Sequence, residues 1–156
     1  MVLNKTLLKT GVKMAFGMAV AIAAGSCCTH KYCIGADDMD NIRFDHFSNS
    51  DLDTILIQRF NRNSNFANPV EDILVITSNF SVGSNFQRIQ LPVKLTIDFD
   101  YKVALTSTGE HFTISDFISK EESCNTGFMC NDAYNSLESY SVNGETMSTY
   151  QLEISR

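Results

Sequence analysis

The most regular feature of the chain is an alternation. Ile89, Leu91, Val93, Leu95, Ile97, Phe99, Tyr101, Val103 and Leu105 fill nine successive alternate positions, with mostly polar residues between them. A period of two sorts side chains onto the two faces of a β-strand. A helix, whose like-facing neighbours recur every three or four residues, cannot do this. Pro92 cannot donate to a strand ladder, so an edge position or a break is expected there, or a bend around Asp98 and Asp100. Shorter strand patterns come before it, at Ile42 and Phe44, over 54–60 and over 73–77. The third is apolar enough to predict burial on both faces. The Asn- and Ser-rich stretches 61–68 and 78–85 read as turns.

Beyond the long run, Thr108-Gly109 predicts a hairpin tip that sets Leu105 opposite Phe112 and Val103 opposite Ile114. Residues 115–120 predict a short helix capped by Ser115, and 131–137 another helical turn. Asn143-Gly144 predicts a tight hairpin from a strand at 139–142 to a final one on which Tyr150, Leu152 and Ile154 alternate. Seven or eight short strands with few helices predict an all-β domain over residues 41–156. The expected form is an antiparallel β-sandwich, immunoglobulin-like or transthyretin-like, with a small β-barrel as the alternative.

The N-terminus follows a different rule. Residues 1–26 contain no acid; Lys5, Lys9 and Lys13 precede an uncharged run over 14–26. A basic stretch, a short apolar core and small residues before a cut site make a secretory signal, too short for the roughly 20 apolar residues of a spanning helix. Ala24-Gly25-Ser26-Cys27 resembles the lipobox of bacterial lipoproteins. The resemblance implies cleavage before Cys27, a diacylglycerol on its thiol and acylation of the new N-terminus. Residues 27–40 would then tether the domain to a membrane, through acyl chains contributing roughly 0.8 kcal/mol per buried methylene. Ala24 stands where many lipoboxes have leucine, and Cys28 is the alternative lipid acceptor. Neither Cys28 nor Thr29 is the aspartate associated with inner-membrane retention, which points toward the outer membrane of a bacterial envelope, on either its periplasmic or its surface face.

With Cys27 lipidated, Cys28, Cys33, Cys124 and Cys130 remain as disulfide candidates in an oxidising compartment. Four cysteines allow three connectivities: local pairing of Cys28 with Cys33 and Cys124 with Cys130, or either crossed arrangement. A four-thiolate zinc site is the rival use of these residues, disfavoured by the spacing and the compartment, so no metal or other cofactor is expected.

Charge narrows the partners. Loss of residues 1–26 removes three lysines and no acid, leaving 9 Lys+Arg against 18 Asp+Glu, a net charge of −9. Nucleic acid is therefore not an expected ligand. The acidic group Asp37-Asp38-Met39-Asp40 reads as a solvated spacer, since it lacks the register of a calcium loop. No Gly-rich phosphate loop, nucleophile elbow or paired-histidine motif occurs. Asp98 and Asp100, grouped with Lys102 and with His111 on the next strand, are the only acid–base constellation to consider, and a plain solvated sheet face explains them. Phe66, Phe80 and Phe86 in polar loops read first as plugs for the sandwich ends, and second as a recognition surface.

The expected function is that of a non-catalytic, membrane-anchored lipoprotein binding or assembling with a protein or glycan. An acidic inhibitor or immunity lipoprotein aimed at a basic enzyme, such as a cell-wall hydrolase, is the alternative.

Overall fold

The computed structural model describes Cys33, residues 35–77, 86–127 and 130–156, with backbone alone for residues 86, 125–127, 130 and 131. The expected signal peptide, Cys27, Cys28, the 78–85 connection with Phe80, and the side chains of Phe86 and Cys130 lie outside this description. Among the described residues there is no helix. Nine strands form: β1 Met39–Asp45, β2 Thr54–Asn61, β3 Glu71–Ile76, β4 Phe86–Leu95, β5 Phe99–Leu105, β6 His111–Gly127, β7 Cys130–Val142, β8 Glu145–Met147 and β9 Leu152–Ser155. That is one or two more than expected. They make two sheets, β4-β1-β9 and β3-β2-β5-β6-β7-β8, so the fold is a β-sandwich and not a closed barrel. All pairings with a described register are antiparallel except β1 with β9, which is parallel. In the immunoglobulin order the first two strands share a sheet. Here β1 and β2 lie in different sheets, so the strand order differs from that one.

The chain divides into two compact units, Ile34–Glu122 with Asn135–Arg156, and Met1–Cys33 with Ser123–Tyr134. The inter-sheet core lies within the first. It includes Ala36 and Met39, residues the sequence reading assigned to the tether.

The nine-position alternation is two strands, not one. β4 buries Ile89, Leu91 and Leu95; β5 buries Tyr101, Val103 and Leu105. Between them the chain turns at 96–98 and changes sheet. The Tyr101 hydroxyl holds this corner, accepting the Thr96 N–H (2.9 Å) and donating to the Thr96 carbonyl (2.8 Å). The period survives the corner because both sheets face the same core. Pro92 sits, exposed, on the edge strand β4. There the pairing with β1 jumps from Met39↔Leu95 to Asn41↔Gln90, so the missing N–H is accommodated in an irregularity.

Four expectations are corrected. β3 is buried on one face only, with Ile73 and Val75 inside and Leu74 and Ile76 more than half exposed, because it is an edge strand with nothing described over its outer face. The β5–β6 hairpin pairs Val103 with Phe112 and Tyr101 with Ile114, two residues from the expected register. Its loop spans 106–109, closed by Gly109 N–H to the Leu105 carbonyl (2.8 Å) with Gly109 at φ 75°. A shift of two keeps every side chain on its face, so the apolar pattern could not separate the registers.

Residues 115–120 continue β6 instead of forming a helix. Asp116 takes φ 54°, and the buried positions step from Phe112 and Ile114 to Phe117, a β-bulge that preserves the inward face. Residues 131–137 belong to β7 for a related reason: they lie in a strand hydrogen-bonded to β6, a partner no local signal names.

At Asn143-Gly144 both residues have positive φ (51° and 84°), as a two-residue hairpin turn requires, and Val142 pairs with Glu145. The strand that follows is the short β8. The chain then crosses to the other sheet, leaving Tyr150 82 % exposed, before β9 runs beside β1. A fully buried Tyr140 bridges the crossing: its hydroxyl accepts the Glu153 N–H (2.6 Å) and lies 3.1 Å from the Gln151 carbonyl. Tyr101, Phe117 and Tyr140 form a row, with centroids 6.1 and 6.0 Å apart.

Candidate functional site

Where β8 and β9 end their respective sheets, the sandwich is open along one side. A shallow cavity of about 200 Å³ lies there, lined by Phe112, Val142, Asn143, Glu145, Met147, Glu153 and Ser155. The floor is apolar because Phe112 and Val142 belong to the core layer; the rim is acidic because outward positions of β8 and β9 carry Glu145 and Glu153. Parallel pairing sets Glu153 beside Arg43, and Arg43 reaches Asp45 (3.0 Å) and Glu153 (3.7 Å). Burial is the main cause that pushes the Glu153 carboxyl above the ordinary range, with a shared hydrogen bond to Asp45 adding to it and Arg43 opposing. The arrangement can take up a proton, and it suits a cationic or amphipathic group more than an anion. The lining includes no cysteine, serine–histidine pair or lysine that would act as a nucleophile.

The residues considered as an acid–base constellation are dispersed, and the solvated sheet face expected of them is corrected at Asp100, which is buried. Asp98 lies in the corner turn, 3.3 Å from the Thr96 hydroxyl, while Asp100 is on β5 and only 6 % exposed. The loop after β2 folds over Asp100. The Asn63 N–H donates to its carboxylate (3.0 Å), Arg62 donates to the Phe117 carbonyl (3.2 Å) beside the bulge, and Phe66 packs edge-on against Phe60 (5.5 Å). Asn63, Asn65, Phe66 and Asn68 all adopt positive φ to make this possible. Burial raises the Asp100 carboxyl and the Asp116 charge adds to that, against the Asn63 hydrogen bond and Arg62. His111 is exposed and pairs with Ala104, and Lys102 pairs with Gln58 and Thr113. The Asp100 cluster thus anchors a loop; it presents no open acid–base pair.

Of the expected cysteine sites, the described pair is Cys33 with Cys124, bonded at a Cα–Cα distance of 5.9 Å and 91 residues apart in sequence. This is a crossed connectivity, and it excludes the local pairing of Cys28 with Cys33 and of Cys124 with Cys130. No group of three or more His, Cys, Asp or Glu side chains is placed to hold a metal among the described residues.

Sequence reasoning missed an exposed apolar strip formed by Val70, just before β3, and by Leu74 and Ile76 on it. Val70, Leu74 and Ile76 are 50, 56 and 67 % exposed, and Leu74 lies across from Leu56 on the outer face of the sheet. The signal was present in the run over 73–77, but it was read as two buried faces. Comparison of the chain with protein-family models, with curated proteins and with solved structures finds no match.

Proposed function

We propose that the protein is a non-catalytic, membrane-anchored bacterial envelope lipoprotein whose β-sandwich serves as a binding or assembly module. The observation that carries the reading is the Cys33–Cys124 bond. A disulfide belongs to an exported chain, in keeping with the lipobox-like Ala24-Gly25-Ser26-Cys27 that would take the lipid at Cys27. The titratable groups support a binding role over a catalytic one. Asp100 is engaged in holding a loop, and Asp45 and Glu153 flank an arginine within the sheet face.

The test is fractionation of cells expressing the wild-type chain and Cys27→Ala, with metabolic labelling by a fatty acid. Wild-type protein should take label and sediment with membranes, and Cys27→Ala should do neither. Retention of Cys27→Ala on the membrane would overturn the anchor. Protease treatment of intact cells then assigns the face: digestion without lysis means the cell surface, protection means the periplasm.

A further inference from the structure

Four strands end the two sheets, and three of them carry devices that block further pairing. β4 has Pro92, Lys94 and a register break. β8 is three residues long. β9 has its Glu153 N–H taken by the Tyr140 hydroxyl. Short strands, prolines, lysines, irregularities and covered edges are the means by which sheet proteins avoid edge-to-edge association. Among the described residues, β3 has none of them. It is six regular residues, Glu71–Ile76, paired with β2 without a register shift and carrying no proline, glycine or basic residue.

The side of β3 away from β2 is defined by the ladder. The Thr77 N–H donates to the Asp53 carbonyl. Antiparallel bonding alternates along a strand, so Val75, Ile73 and Glu71 also turn their backbone groups toward β2, and those of Asp72, Leu74 and Ile76 point away from it. The same three residues place their side chains on the outer face. The two acids are already engaged within the chain: Glu71 with Arg59 (2.6 Å) and Asp72 with the Gln58 amide (3.1 Å). What the described residues leave for a partner is an apolar, hydrogen-bonding edge.

We infer that β3 is a self-association edge, at which a second copy of this chain adds its own β3 in antiparallel register about a two-fold axis at Leu74. This deepens the assembly reading above, and it rests on that reading only for the claim that copies meet on one membrane. The charge pattern selects the partner. Antiparallel self-pairing centred on Leu74 sets Leu74 against the second copy's Leu74, and Asp72 against its Ile76. The five residues Asp72–Ile76 pair with their counterparts, Glu71 falls opposite Thr77, and no acid meets an acid. Parallel self-pairing would bring Glu71 and Asp72 beside their own counterparts. An isologous contact of this kind closes at two copies and joins two six-stranded sheets.

The test uses the mature, lipidated protein in detergent, followed by sedimentation equilibrium. The wild-type chain should be a dimer. Leu74→Lys, a change at a position already more than half exposed, should keep the unfolding midpoint and weaken dimerisation at least tenfold. Added salt should tighten the dimer, since both copies are acidic; a dimer weakened by salt would be held by opposite charges and would overturn pairing through the apolar β3 edge. Leu74→Cys should give a covalent dimer on oxidation, because residues opposite each other across a strand pair lie about 5.5 Å apart at Cα, within disulfide reach. Thr113→Cys, on the outer face of another strand, should not.

Amide exchange at Asp72, Leu74 and Ile76 should be slow in the dimer and fast in Leu74→Lys. Slow exchange in both would show the edge covered from within one chain and overturn the inference, as would a wild-type monomer at every concentration. Failure of the Cys27→Ala fractionation would remove the membrane and leave the detergent result standing.

Discussion

Replacing Tyr140 with phenylalanine removes one oxygen and nothing else, and the structure says what that oxygen does. The ring is buried and stacked near-parallel on Phe117 at 26°, and that contact survives the change. The hydroxyl accepts the Glu153 N–H at 2.6 Å, on the free side of β9. Thr149 already donates to the Gln151 carbonyl at 2.6 Å, so that acceptor keeps a partner. The loss is therefore the bond accepted from the Glu153 N–H and the one donated to the Gln151 carbonyl, and its largest part is the Glu153 N–H stranded in a partly shielded position, at about 1–3 kcal/mol. A destabilisation of about 2–3 kcal/mol follows. For a domain of this size that corresponds to roughly 4 °C in Tm per kcal/mol.

The paired control is Tyr101→Phe. Its hydroxyl serves both backbone groups of Thr96 at the β4–β5 corner. Thr96 is half-buried, so water can take over part of that role, and about 1 kcal/mol is expected. Urea unfolding followed by circular dichroism reads both variants, with the slope required to stay constant. A Tyr140→Phe midpoint within 0.5 kcal/mol of wild type, or a larger loss for Tyr101→Phe, would refute the claim that Tyr140 closes the β9 edge.

Three further outcomes are expected. Phe117→Ala removes the middle ring of the Tyr101–Phe117–Tyr140 row and should cost about 3–5 kcal/mol, measured by the same unfolding assay. Reduction of the protein, or Cys33→Ala, opens a 91-residue loop and should lower stability by up to about 4–5 kcal/mol, read as a fall in urea midpoint with and without reductant. Asp100 has a carboxyl raised by burial, so its contribution is fully present below the ordinary carboxylate value of 3.8 and is lost as pH rises through the raised one. Asp100→Asn keeps an acceptor for the Asn63 N–H while removing the charge. It should therefore unfold at higher urea than wild type at pH 7, with the difference shrinking toward pH 4; an unchanged or lower midpoint at pH 7 would contradict the assignment.

How far the sequence can be read depends on whether its signals are local. The alternation from Ile89 to Leu105 marks inward positions correctly because both sheets face one core; a bend was expected around Asp98 and Asp100, but the unbroken period gives no sign that the chain changes sheet there, at 96–98. The β5–β6 register slipped by two for the same reason: pattern fixes the face, and only the loop closed by Gly109 fixes the pairing. At 115–120 and 131–137 the local composition suits helix starts, but long-range pairing decides. β6 absorbs Ser115 and Asp116 in a bulge, and β7 is held beside it. The seam cavity and the Asp100 anchor were illegible because each joins residues from strands far apart in sequence.

The β3 edge is the most informative misreading. Over 73–77 the run of apolar residues is what a strand buried on both faces would show, and it is also what a strand shows when its outer face and edge are meant for another chain. Composition cannot separate these cases; position in the sheet can. β3 is last in its row, and its flanking acids are tied to Arg59 and Gln58. The apolar excess at Leu74 and Ile76 is therefore a surface property. A second copy of β3 accounts for it with the same side-chain pattern that first suggested a buried strand.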